Sequence, residues 1–143
     1  ELTALEKAGA ALKEAGAKRV LPLKVSGPFH SSLMEPAASK LKQELLKVTI
    51  SDLQIPYISN VTAQKVTDKQ EIAGLLCEGI HSSVHWEQSV RYMIRQGVDT
   101  FVEIGPGHTL STLLKKINAE AKICTVSTME DLVRMQDFLN ETV

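Results

Sequence analysis

The chain has 143 residues, with 16 Lys+Arg against 17 Asp+Glu and a formal net charge of −1. So balanced a charge gives no field able to hold nucleic acid or an anionic membrane. An apolar content of 43% excludes a disordered chain, and no apolar run approaches the ~20 residues of a membrane span. Cys77 and Cys124 stand far apart with no C-x-x-C, which reads as two free thiols of a reducing compartment. The four His show no metal-ligand spacing, so no metal site is expected. The N-terminus lacks a basic region followed by an apolar one, so no signal peptide is expected, and its start at Glu1 suggests an excerpted chain.

Helix and strand signals alternate, which makes the class α/β. Leu5, Ala8, Leu12 and Ala15 recur at helical spacing and predict a helix over 2–15, closed by Gly16. Lys18 to Val25 reads as a strand, on an edge or bulged because Pro22 cannot donate to a ladder. After the break Ser26-Gly27-Pro28-Phe29-His30, a helix is predicted over 31–48. Its stripe is Leu33, Ala37, Leu41, Leu45 and Val48, and Ser31 or Ser32 is its cap. A short strand follows over 55–59, then helices over 68–80 and 85–96. The remaining elements are a strand over 100–104 ending in Gly105-Pro106-Gly107, a helix over 109–117, a strand over 122–126 and a helix over 129–140.

Two strand-turn-helix junctions, VSGPFHSS and VEIGPGHT, are the places to look for chemistry, because ligands in open α/β sheets sit beyond the carboxyl ends of strands. His30 lies in the first and reads as a general base or as a capping His. Ser31 and Ser32 adjoin it, but neighbouring side chains do not usually converge. No G-x-S-x-G is present, so a nucleophile for His30 has to come from outside the chain. Gly105-x-Gly107 lacks both the dinucleotide fingerprint and a Walker lysine, leaving a tight turn or a close backbone approach. Trp86 reads as a packing anchor. Lys115 and Lys116 read as a solvated helix end or as part of a docking surface for an acidic partner.

The strings VSGPFHSSLM, PYISNVTA and VEIGPGHTLSTLLKKI, in this order, resemble the malonyl-CoA:acyl-carrier-protein transacylases of bacterial fatty-acid synthesis. The resemblance covers nearly the whole chain and implies the C-terminal half of such an enzyme. The implied fold is part of an α/β-hydrolase-like acyltransferase subdomain (26–143), preceded by the last helix and strand of a ferredoxin-like small subdomain (1–25). The half carrying the nucleophilic Ser would be absent, and the chain alone would be inactive.

His30 matches the family's catalytic His, which implies ping-pong transfer of malonyl from malonyl-CoA to the phosphopantetheine thiol of acyl carrier protein. The family orients that His with a backbone carbonyl, commonly of a Gln. Counting back from Val84-His85-Trp86 places Gly79 there, with Glu78 one residue away. Phe29 matches the bulky residue that disfavours an α-methyl branch, and Asn60 a residue expected to support the His loop by hydrogen bonding. The resemblance implies a cytoplasmic enzyme without cofactor, metal, membrane or nucleic acid. Its partners would be malonyl-CoA, acyl carrier protein and the missing N-terminal half, and exposed apolar surface would favour self-association. The rival expectation is a non-catalytic fragment or a carrier-protein-binding piece.

Overall fold

The computed structural model describes residues 2–22 and 25–142. Six α-helices and four strands run in the order α1 (Leu2–Glu14), α2 (Glu35–Leu45), β1 (Tyr57–Ile58), β2 (Lys65–Val66), α3 (Lys69–His81), α4 (Trp86–Arg95), β3 (Thr100–Ile104), α5 (Thr109–Ile117), β4 (Lys122–Val126) and α6 (Met129–Thr142). One 3₁₀ turn, Ser32–Met34, leads into α2. The α/β class therefore holds.

Helix α1 ends as its sequence predicts. Gly16 takes φ +94°, its N–H donates to the Lys13 carbonyl, and Ala17 N–H donates to that of Leu12. This pair of bonds satisfies the last carbonyls of the helix, and glycine adopts the left-handed residue without steric cost. The apolar stripe of α1 stays exposed, however: Leu5 is 62% and Leu12 53% accessible. The strand expected over 18–25 is not formed by its described residues, while Leu23 and Lys24 lie outside them. A strand needs a pairing partner, and no described strand pairs with it: Val20 lies against Gly9 of α1 instead; Pro22 also withholds one donor.

Helix α2 begins at Glu35, with Pro36 in its first turn, where a missing N–H costs least. It packs on α3, as does the 3₁₀ turn before it; Met34, Ala37, Ala38, Leu41 and Leu45 are buried or half-buried, whereas the expected Leu33 and Val48 are exposed. The helix starts four residues later than predicted, which turns Leu33 off the stripe. Ser31 is no side-chain cap either: its hydroxyl donates to the Pro28 carbonyl at 2.6 Å. Asp68 does cap α3, accepting from Gln70 N–H at 2.8 Å.

Strand β2 had no strong apolar signal. It pairs antiparallel with β1 (Tyr57 to Val66, Ile58 to Lys65) across a tight turn. In that turn Ser59 N–H donates to Gln64, and the Ser59 carbonyl accepts from Ala63. Ala63 carries φ +54° there and is buried.

The principal core lies at the other end of the chain. Val90 of α4, Leu114 of α5 and Ala121 form its buried centre, and Trp86, Met93, Ile94, Phe101, Ile117 and Ile123 pack around them. Strands β3 and β4 pair in parallel from Thr100–Lys122 to Ile104–Val126, with α5 as the crossover between them. Gly105 (φ +136°) and Gly107 (φ +93°) make the turn into α5. A Cβ added to either would meet no described atom within 4 Å. The backbone angle, not a close approach, is therefore what calls for glycine. Among the described residues no helix is long and apolar enough to cross a membrane, and no three His, Cys, Asp or Glu side chains group as a metal site.

Two further carboxylates hold helix starts. Glu103, on β3, reaches past the glycine turn to accept from Leu110 N–H, Ser111 N–H and the Ser111 hydroxyl. Asp131 accepts from Ser127 and Thr128 N–H, and Thr128 Oγ1 accepts from Asp131 N–H, a reciprocal capping box at α6. Hydrogen bonding, led by the Ser111 hydroxyl, holds the Glu103 carboxyl below the usual carboxylate range. Its contribution to stability is therefore present above the unfolded-state value and is lost as pH falls through the lowered folded-state value. Glu103→Gln, which cannot titrate, is expected to show a smaller fall in Tm between pH 7 and pH 3 than the parent chain. Equal acid sensitivity in the two melts removes Glu103 from this account.

Candidate active site

The first junction builds the candidate site. The chain leaves Pro28 and turns at His30, which holds φ +57°. A left-handed β-carbon-bearing residue costs roughly 1–2 kcal/mol, so its surroundings have to fix it. They do so through the C-terminal end of α3. His30 N–H donates to the Ile80 carbonyl at 3.1 Å. His30 Nδ1 lies 2.9 Å from the Gly79 carbonyl oxygen and 3.2 Å from that of Ser82. A helix leaves its last carbonyls without intrahelical partners, and here two of them are taken up by one residue distant in sequence.

This arrangement sets the tautomer. Carbonyl oxygens only accept, so Nδ1 carries the hydrogen and Nε2 presents the lone pair of the neutral ring. Among the described residues no carboxylate is bonded to the imidazole. The site consequently offers an oriented base without an acidic partner behind it.

His30 borders a mostly apolar cavity of about 630 Å³ lined by Phe29, Met34, Tyr57, Ile58 and Leu75 among others, with Gly79 and Val61 side by side. Phe29 is on its wall and 54% accessible; its ring lies over Gly27, where an added Cβ would stand 3.5 Å from Cζ. Burial pushes the Tyr57 phenol up from its usual pKa, a hydrogen bond with Ser59 pulls it back, and the Glu71 charge adds to the rise.

Of the residues singled out in the sequence, His30, Phe29, Gly79 and Asn60 all border this one cavity. Asn60 departs from its expected role. Its main-chain carbonyl accepts from His85 N–H at 2.9 Å, and its side chain makes no hydrogen bond to the His30 loop among the described residues. It ties the β1 end to the segment before α4, not to His30 itself. Ser82 carries no sequence signal for a place at the site; its carbonyl reaches the ring, and no side chain announces a main-chain acceptor. The remaining candidates lie elsewhere. His81 ends α3, His85 precedes α4, and His108 precedes α5 without a side-chain cap bond. Lys115 Nζ donates to the Ala119 and Ala121 carbonyls, so it braces the α5–β4 turn. Cys77 and Cys124 are half-buried free thiols.

Gly79 sits in the last turn of α3 without positive φ, and an added Cβ would meet Val61 Cγ2 at 3.8 Å, an ordinary contact. Glycine is thus not sterically required. Gly79→Ala is expected to raise unfolding free energy by ~0.5–1 kcal/mol, through lower unfolded-state entropy and better helix propensity. Urea titration checks this; a loss of stability would show that the space beside Val61 is tighter than it stands here.

No family model matches the chain. Individual proteins do. Over 128 residues, 90% of this chain, it is 49% identical to the malonyl CoA-acyl carrier protein transacylase of Bacillus subtilis, covering 40% of that protein. The solved malonyl CoA-acyl carrier protein transacylase of Clostridium perfringens superposes with a TM-score of 0.86 at 40% identity, over 99% of this chain and 45% of that one. A malonyl-transacylase solved in complex with its type II polyketide-synthase acyl-carrier protein gives 0.84 at 36% identity, over 94% and 44%. The chain thus spans well under half the length of the relatives it matches.

Proposed function

We propose that this chain, similar over nine-tenths of its length to malonyl-CoA:acyl-carrier-protein transacylases, carries the base of such an enzyme, with His30 in that role. The observation that supports this reading is the imidazole held through Nδ1 by the Gly79 and Ser82 carbonyls at the border of an apolar cavity. The chain contains no G-x-S-x-G, so the nucleophilic serine comes from a part of the enzyme outside it.

The mechanism follows from that ring. Nε2 takes the serine proton as the oxygen attacks the thioester carbonyl of malonyl-CoA. The imidazolium so formed keeps its Nδ1–H on two carbonyls, and these bonds strengthen when the donor is charged. The proton then passes to the departing CoA sulfur, leaving malonyl on serine. In the second half-reaction Nε2 takes the proton of the phosphopantetheine thiol of acyl carrier protein, the sulfur attacks the malonyl ester, and the proton returns to serine. Two main-chain acceptors do the orienting that a carboxylate does in a Ser-His-Asp triad. Malonyl-CoA and the carrier-borne thiol are substrates, and the chemistry asks for no cofactor. Residues 26–143 fit the large, hydrolase-like subdomain of such an enzyme and 1–25 the end of its small ferredoxin-like one; among the described residues the stripe of α1 is exposed and α1 packs little on the other helices and strands, which accords with that division. The cell compartment proposed is the cytoplasm.

In the complete enzyme, His30→Ala is expected to slow acylation by labelled malonyl-CoA by at least about a hundredfold, the scale of a lost general base. Near-normal labelling refutes the assignment. Phe29→Ser is expected to relax discrimination against methylmalonyl-CoA by about tenfold, since a rigid wall opposes added volume by roughly 1–3 kcal/mol; an unchanged ratio of kcat/KM removes Phe29 from the argument. A second reading, a non-catalytic or carrier-binding piece, is favoured by the missing serine. Incubating the 143-residue chain alone with labelled malonyl-CoA separates the two: a covalent adduct on the isolated chain contradicts the need for an external nucleophile.

A further inference from the structure

We infer that Ser82 is a positioning residue for His30, acting through its main-chain carbonyl as the second acceptor of a three-centre bond and offsetting the looseness of glycine at 79. The inference rests on His30 being the base. One Nδ1–H faces two oxygens, at 2.9 Å (Gly79) and 3.2 Å (Ser82). Gly79 belongs to the last turn of α3, where helices fray, and no side chain of its own limits the direction of its carbonyl.

Ser82 is constrained differently. It leaves the helix with φ −94° and ψ 156°, and its N–H is held by the Glu78 carbonyl at 3.0 Å. Three residues on, His85 N–H is held by the Asn60 carbonyl at 2.9 Å. Residues 82–85 therefore form a strap tied at both ends, one to α3 and the other to the β1 end that borders the same cavity. The Ser82 hydroxyl makes no hydrogen bond among the described residues, which leaves the carbonyl as the group that acts. Two acceptors flanking one N–H oppose its tilting toward either side, whereas a single acceptor lets the N–H swing with its own carbonyl.

The test uses the complete enzyme with ¹⁵N-labelled histidine. Ser82→Gly frees the backbone at that carbonyl. It is expected to lower kcat about five- to tenfold at unchanged KM for malonyl-CoA, as loss of orientation does, and to broaden the His30 Nδ1–H resonance. Ser82→Ala restores the β-carbon and should recover the lost rate and the sharp resonance. Gly79→Ala combined with Ser82→Gly should regain part of the rate by stiffening the remaining acceptor. A Ser82→Gly enzyme with parental kcat and a sharp Nδ1–H signal overturns the inference, and so does a Ser82→Ala enzyme as slow as Ser82→Gly, which would make the hydroxyl the acting group. Circular dichroism melts show whether Ser82→Gly folds, and if it does not, the Nδ1–H signal of Ser82→Ala decides alone: sharp supports the carbonyl, broadened rejects it. Failure of His30→Ala to impair acylation strikes the proposed function itself, a result separable from either outcome at Ser82.

Discussion

The end of helix α3 and the residue at position 30 satisfy one another. The helix leaves carbonyls at Gly79 and Ile80 without intrahelical donors, and His30 supplies a main-chain N–H to one and a ring N–H to the other. In return the strained backbone of His30, at φ +57°, is held in place. Its own segment adds the Ser31 hydroxyl bond to the Pro28 carbonyl, which closes the turn around it. The packing of α2 on α3 brings the two partners together, and β1 with the first residues of the turn after it lines the cavity beside them. An imidazole positioned by main-chain groups does not depend on the chemistry of its neighbours' side chains, which is how a glycine can stand at position 79.

The other half of the molecule solves a different problem. A parallel pair of strands needs a crossover, and α5 supplies it. The glycine turn that starts α5 offers no side chain to cap the helix. Glu103, which precedes that turn, reaches over it to do so. The same side chain that belongs to the strand thus fixes the direction of the helix. His85 at the head of α4 joins the two halves, because its N–H bond to Asn60 ties the cavity to the Val90–Leu114 core.

Much of this was legible in the residues. Strands 100–104 and 122–126 and helix 109–117 appear with the boundaries that periodicity and glycine turns predict, and the four residues singled out by the junction and by the family resemblance, Phe29, His30, Asn60 and Gly79, border one cavity. The failures have physical causes. Lys18 to Val25 has strand composition but no neighbouring strand, and composition cannot provide a pairing partner. Lys65-Val66 lacks an apolar run, yet a tight turn presses it against Tyr57-Ile58. Ser31 has the chemistry of a cap, but its hydroxyl found the Pro28 carbonyl first. Ser82 and Asn60 contribute main-chain carbonyls, and every residue has one of those, so no pattern of side chains distinguishes them.

The single tryptophan has an indole N–H that is buried with no acceptor among the described residues. It sits against Val90 and Leu114, beside a small cavity of about 80 Å³ bordered by Phe101 and Ile123. Its nitrogen is screened from solvent while the rest of the ring is half-buried, so its emission depends on how closely that layer is packed. The protein therefore carries an intrinsic optical gauge of the α4–β3–α5 layer, one whose colour changes when that layer opens.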